Sequence, residues 1–228
     1  MTQPRKSVWQ RLVRNIAMLP TRTAQSIVRR SRPQYRLERA SIRYARQQLA
    51  PEIFSRLCNV PGYTVSRKCM LLYYLAVTTL APGCIVEIGA FKGKSTAWLA
   101  QAARQAGRRL HSIDPQVEGT LEDFRATVRE FDLAAVTTIY HAFSHDVGKG
   151  WSAPIAFLWV DGGHDYGTVL QDIRDFAPHV TPGGWIVFDD ARPDVTPGVI
   201  RAIEETLRRD DTFEYVGRIR DVDVFRRR

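Results

Sequence analysis

The segment CIVEIGAFKGKSTAWLA, residues 84–100, constrains the fold of this chain more than any other stretch. A short apolar run carries Glu87, turns through Gly89 and Gly93, and passes directly into a helical pattern. A buried strand that turns through glycine into a helix N-terminus points backbone N–H groups, and here a carboxylate, into a common crevice. Such a crevice suits a polar cofactor, and the plain alternative is a strand-to-helix turn of any α/β protein.

Spacing separates the cofactors. A dinucleotide fingerprint needs G-x-G-x-x-G, but Ala90 follows Gly89, so the glycine that would admit a pyrophosphate is absent and NAD is disfavoured. A phosphate loop needs four residues between its glycines, and Gly89 to Gly93-Lys94-Ser95 is one short of wrapping a triphosphate. What remains is E-x-G-x-x-x-G after an apolar strand.

Downstream, helical and strand patterns alternate. Strands are expected at 84–88, 110–113, 136–140, 155–160 and 184–188, with helices at 95–106, 121–131, 168–176 and 198–208 between or after them. Strands separated by helices imply a parallel sheet wound on both faces. The last two apolar runs, 213–219 and 222–225, are joined only by Arg220-Asp221, as an antiparallel hairpin requires. The expected fold is therefore α/β, a doubly wound, mostly parallel seven-stranded sheet ending in an antiparallel hairpin. Before it come a core helix at 65–80 and a second helical stretch at 35–49, with Pro51, Pro61 and Gly62 punctuating the approach.

A chain of 228 residues accommodates one such domain and an appendage. The division expected is a basic helical extension over 1–50 and the α/β domain over 51–228. The longest apolar run, Cys69 to Leu80, is too short to span a bilayer. Cys58, Cys69 and Cys84 are odd in number and lack C-x-x-C spacing, which argues against a disulfide framework or a zinc site and favours a reducing cytoplasm.

The net charge of +9 is unevenly placed: residues 1–46 carry twelve Lys or Arg and one acid, Glu38, so the remainder is slightly acidic. Val8, Trp9, Leu12, Val13, Ile16 and Leu19 form one face of a short basic helix ending at Pro20. Such a helix suits an anionic membrane surface, an apolar patch on the body, or a second subunit of a homo-oligomer; a solvated tail and an organellar transit peptide are the other readings. The acidic body shows no basic groove interleaved with aromatics, which disfavours a nucleic-acid partner.

In a doubly wound sheet the ligand lies beyond the carboxyl ends of the strands, so the strand exits carry the candidate site. Asp114 follows the second strand, where an acid can accept both ribose hydroxyls or cap a turn. His141-Ala142-Phe143-Ser144-His145-Asp146 follows the third, Asp161-Gly162-Gly163-His164 the fourth, and Asp189-Asp190 the fifth. Asp161, Asp189 and Asp190 would repel one another if no base lay near. A divalent cation relieves that repulsion, and oxygen ligands select Mg²⁺ or a similar hard ion; helix capping is the alternative use.

The ordered set E-x-G-x-x-x-G, I-D-P, V-D-G-x-H and F-D-D, within residues 65–228, resembles the class I S-adenosylmethionine (SAM)-dependent methyltransferases. It is most similar to the metal-dependent branch that includes the macrocin-type sugar O-methyltransferases and, more distantly, catechol O-methyltransferase. The resemblance implies a Rossmann-like sheet, SAM held by Glu87, Gly89, Gly93, Ser95, Asp114 and Ser144, and Mg²⁺ held by Asp161, Asp189 and Asp190. The family often has D-G-D at the fourth exit, its second aspartate a candidate base. Gly163 stands there in this chain, which moves the expected role to His164, with Asp161 beside it. The implied activity is methyl transfer to a hydroxyl of a sugar, glycosylated metabolite or lipid, by a cytoplasmic enzyme that is peripheral to a membrane if its tail binds one. A nucleic-acid methyltransferase and a non-catalytic membrane-associated scaffold are the rival readings.

Overall fold

A computed structural model describes residues 33–228, and the amphipathic stretch from Val8 to Leu19 lies outside them. The elements in chain order are α1 (Pro33–Gln48), α2 (Pro51–Asn59), α3 (Ser66–Thr78), β1 (Cys84–Ile88), α4 (Lys94–Ala106), β2 (Leu110–Ile113), α5 (Leu121–Glu130), β3 (Thr137–Tyr140) and α6 (Ser144–Gly148). They continue as β4 (Ile155–Val160), α7 (Tyr166–Phe176), a 3₁₀ turn at Ala177–His179, β5 (Val180–Phe188), α8 (Pro197–Glu205), β6 (Phe213–Ile219) and β7 (Val222–Arg227).

The seven strands form one sheet in the order β3-β2-β1-β4-β5-β7-β6. Pairings from β3 through β5 are parallel, and β7 pairs antiparallel with both β5 and β6. The chain winds outward from β1 to β3 and then returns to β4 on the other side of β1. That reversal opens a crevice between the carboxyl ends of β1 and β4.

Strand alternation sends Ile85, Phe157 and Trp159 to one face, where α3 and α4 bury Leu72, Tyr73, Trp98 and Leu99. The opposite set, Val86, Ile88, Leu158 and Val160, packs with Val169, Ile173 and Phe176 of α7 and Val199 and Ile203 of α8. Each such large side chain taken fully from water contributes about 1.5–3 kcal/mol. β4 is buried along its whole length, as a central parallel strand must be. The basic helix α1 rests on the first of these layers, with Ala45 fully buried and Glu38 bonded to Arg220 at 2.6 Å.

Three local expectations needed revision. Pro51 does not merely punctuate: it occupies the first turn of α2, where its missing N–H costs nothing, and Leu57 anchors that helix in the core. β5 begins at Val180 rather than at Gly184, because Thr181-Pro182-Gly183-Gly184 lies inside an irregular stretch of strand whose register against β4 shifts between Ile155 and Phe157. The polar exit of β3 is not all loop, since Ser144–Gly148 forms the single turn α6.

Candidate active site

Backbone ladder bonds fix the strand exits along one rim. The N–H of Gly89 donates to Ile113 O at 2.9 Å, that of Asp114 to Tyr140 O at 3.1 Å, that of Asp161 to Ile88 O at 2.8 Å and that of Asp189 to Val160 O at 3.0 Å. A cavity of about 1190 Å³ opens over this rim, lined by Gly89, Ser95, Asp114, Ser144, Asp161, His164, Asp189 and Asp190 among others. Small-molecule pockets usually measure ~300–1,000 Å³, so there is room for a cofactor and an acceptor together.

The half of the cavity over β1 and β2 is built from main chain. Gly89 has φ 88°, and a Cβ there would lie 2.0 Å from the carbonyl oxygen of Asp161, so only glycine lets the β1 and β4 exits meet. Gly93, also at φ 88°, precedes α4 and backs onto Thr127 and Phe124. Asp114 holds this turn closed. Its Oδ2 accepts the N–H groups of Ala90 (2.6 Å) and Phe91 (2.7 Å), and its Oδ1 that of Gln116 (2.6 Å). Asp114 is thus a turn residue as well as a cavity residue: both lone pairs of Oδ2 are taken, and one on Oδ1 remains for a hydroxyl.

Glu87 departs from expectation. It is absent from the cavity lining and fully buried beneath it, where Oε2 accepts from Thr96 (2.6 Å) and Ser112 (2.7 Å). Strand alternation is the reason: Glu87 shares the face of Ile85 and points at α4 rather than beyond the strand end. Burial pushes its carboxyl up to about 7, against the pull of those hydroxyls. Ser144 lies in the lining and donates to Asp172 Oδ1 at 2.5 Å; Asp172 is itself buried, which pushes it up to about 7.

The half over β4 and β5 is built from charge. His164 Nε2 lies 3.7 Å from Asp161 Oδ1 and 3.8 Å from Asp190 Oδ2, within ion-pair reach but beyond a hydrogen bond. That nitrogen is itself buried and has no hydrogen-bond partner among the described residues. Asp161 raises the His164 pKa above its ordinary value, against burial. Asp161, with Thr64 donating to its Oδ2 at 3.2 Å, is pushed up to about 7 by burial. Gly163 also has a steric explanation, since a Cβ there would lie 2.8 Å from Thr168 Cγ2. The start of α7 therefore leaves little space for the aspartate of D-G-D.

The carboxylates do not converge as expected. Among the described residues, the three able to share one ion are Asp189, Asp190 and Asp221, whose oxygens lie within 4.8 Å of one another; Asp161 stands outside that group. Asp221 comes from the β6–β7 turn, held by the N–H of Ala191 donating to its carbonyl at 2.7 Å. The premise of an unneutralised cluster also fails. Lys68 Nζ, on the first turn of α3, lies 2.6 Å from Asp189 Oδ1 and 3.0 Å from Asp221 Oδ2, and Arg192 reaches Asp190 at 3.1 Å. Burial opposes the Lys68 charge, but Asp189 and Asp221 outweigh it and the lysine pKa is raised. Neither Lys68 nor Asp221 stands out in the sequence; the available signal was a lysine bordering the apolar run of a core helix.

The sheet order and the row of strand exits along one rim are those of the Rossmann-like methyltransferase fold. Residues 86–191 match the model of a methyltransferase domain family. An uncharacterized protein of Acanthamoeba polyphaga mimivirus is 29% identical over 133 residues, covering 53% of this chain, and the chain spans 59% of that relative's length. Solved structures share the fold. The O-methyltransferase TomG of Streptomyces achromogenes, in complex with SAM, superposes with a TM-score of 0.58 at 21% identity over 84% of this chain and 96% of its own. CalS11, a TDP-rhamnose 3'-O-methyltransferase of calicheamicin biosynthesis, gives 0.57 at 14% identity over 98% and 96%. A putative O-methyltransferase from Klebsiella pneumoniae gives 0.61 at 18% identity over 78% and 89%.

Proposed function

We propose that the chain is a SAM-dependent O-methyltransferase acting on a hydroxyl of a sugar, glycosylated metabolite or lipid. The observation that carries this reading is His164 Nε2, buried and unpartnered between Asp161 and Asp190, in the same cavity as the glycine turn. TomG and CalS11 are O-methyltransferases, and CalS11 methylates TDP-rhamnose, which agrees with a hydroxyl acceptor.

In this reading SAM lies along the β1–β2 half. Gly89 and Gly93 let the main chain approach it, Asp114 accepts one ribose hydroxyl on Oδ1, and Ser95 and Ser144 bond its polar ends. Glu87 supports the turn from below. The acceptor lies over β4 and β5, its hydroxyl beside the His164 imidazole. The hydroxyl oxygen attacks the sulfonium methyl carbon in line, the S–CH₃ bond breaks as the O–CH₃ bond forms, S-adenosylhomocysteine leaves, and the acceptor proton passes to His164. Asp161 and Asp190 orient the imidazole and stabilise its cation.

The Mg²⁺ implied by the resemblance finds its place contested. An oxygen-only set of three carboxylates suits a cation, but the ammonium of Lys68 already bonds two of them. The residues fit a cation and carry one of their own, so no step is assigned to a metal. For the basic residues 1–46 the proposal remains an anionic membrane surface or a second copy of the chain. Among the described residues no helix is long and apolar enough to cross a membrane.

Isothermal titration with SAM tests the cofactor assignment: saturable binding weakened by Asp114→Ala supports it, and no binding overturns it. Radiolabelled methyl transfer from SAM to TDP-rhamnose, set against bulk RNA, tests the acceptor class. Labelling of the RNA alone would favour the nucleic-acid reading.

A further inference from the structure

Lys68 comes from the first turn of α3, before the glycine turn in sequence, yet it ends among carboxylates supplied by β5 and by the β6–β7 turn. Its side chain is about nine-tenths shielded from solvent, and so is that of Asp189. A long cationic side chain is rarely buried unless it is paired, and here it is paired twice. Its neighbour Cys69 and the following Leu71, Leu72 and Leu75 are locked in the core, so the lysine's base is fixed by packing. The ammonium ties the end of β5 to the terminal hairpin, at the wall where the acceptor hydroxyl would sit. Lys68, Asp189, Asp190 and Asp221 all line the cavity.

A magnesium ion at the same carboxylates would need oxygens at about 2.0–2.1 Å in near-octahedral order. Asp189 Oδ1 is already engaged at 2.6 Å and Asp221 Oδ2 at 3.0 Å, while Arg192 meets Asp190 at 3.1 Å. Three carboxylates against two fixed cations leave one negative charge, and adding a dication would make the cluster net positive beside a sulfonium.

We propose that Lys68 is a built-in replacement for the divalent ion: its ammonium, bridging Asp189 and Asp221, balances the acidic rim and positions it around the acceptor, and this chain works without a metal. The inference rests on the methyltransferase reading for its purpose but not for its test. Lys68 holds its proton throughout; the one released in the reaction goes to His164. Lys68 is a positioning residue, acting through Asp189 and Asp221.

The experiment is Mn²⁺ binding by electron paramagnetic resonance on the chelator-stripped full chain, as wild type, Lys68→Met and Lys68→Arg. Wild type and Lys68→Arg should show no stoichiometric Mn²⁺ site. Lys68→Met, which frees the carboxylates, should bind Mn²⁺ at least about tenfold more tightly, as expected when a charge at ion-pair distance stops competing. A stoichiometric Mn²⁺ site in the wild type that Asp189→Asn abolishes would overturn the proposal, and this arm needs no variant at Lys68 to fold. Lys68→Met that folds, as judged by its melting transition, but binds Mn²⁺ no better than wild type would overturn it as well. SAM titration of the same wild-type sample separates the two readings: loss of SAM binding sinks the methyltransferase assignment and leaves the Mn²⁺ result intact.

Discussion

The two halves of the cavity are made of different materials. Where β1 and β2 end, the wall is main chain: Gly89 at φ 88°, the N–H groups of Ala90 and Phe91, and one carboxylate, Asp114, holding them. Where β4 and β5 end, the wall is side-chain charge: Asp161, Asp189, Asp190 and Asp221 set against Lys68, Arg192 and His164. A main-chain wall depends on shape and fails through steric overlap. A charged wall depends on balance, and it fails when one partner is removed and the others keep their charge.

Breaking the main-chain half should have the largest effect. Gly89→Ala places a methyl 2.0 Å from Asp161 O in a left-handed backbone, so SAM binding should be lost in titration. The strain should cost on the order of 2–4 kcal/mol, seen as a fall in Tm of roughly 4–16 °C. His164→Gln should come next. It should lower the methyl-transfer rate by about 10²–10⁴-fold while leaving SAM affinity unchanged, which would separate the charged half from the main-chain half.

The same variant sharpens the comparison through pH. Asp161 is pushed up to about 7 and His164 is raised, so the pair loses its proton as pH climbs through and above neutrality. Methyl transfer by the wild type should rise over that window, and His164→Gln should flatten the profile.

Glu87 gives a smaller effect, on stability. Its folded-state pKa of about 7 stands above the ordinary 4.5, so the folded chain keeps a proton that the unfolded chain releases. Its contribution is complete below pH 4.5 and is lost as pH rises through about 7, by at most about 3 kcal/mol. Melting curves should show Tm falling over that window, and Glu87→Gln should remove that share of the fall. Least of all, Tyr63→Ala removes an exposed ring stacked on Phe91 at 4.7 Å between centroids. It should cost at most about 0.5–1.5 kcal/mol of stability, read as a fall in Tm of a few degrees or less.

Most of the fold was legible because period-2 and helical patterns are local. β1, β2 and β4 begin and end where their apolar runs do, at Cys84–Ile88, Leu110–Ile113 and Ile155–Val160. The ambiguous punctuation was harder to read. Pro51 opens a helix as readily as it ends one, and Gly183-Gly184 sits inside a strand as readily as in a turn; only packing against the core chose between these. In the site, Gly89, Asp114, Asp161, His164 and Asp189 were legible because strand exits in a parallel sheet share an edge. Glu87 lies two residues before the level of Asp114 and Asp161, beside Ser112 and Trp159, and so stays below that edge.

The sequence by itself determined the alternation of strands and helices, the glycine turn and the row of acids, since each is written in adjacent residues obeying short-range stereochemistry. Tertiary structure alone decided what neutralises those acids. Lys68 and Asp189 are 121 residues apart, and no local rule pairs them. Their meeting depends on α3 docking beside the sheet, and the second partner, Asp221, arrives only when the terminal hairpin folds back along β5. Coulomb energy acts through distance in space, which a linear chain does not record until it has folded.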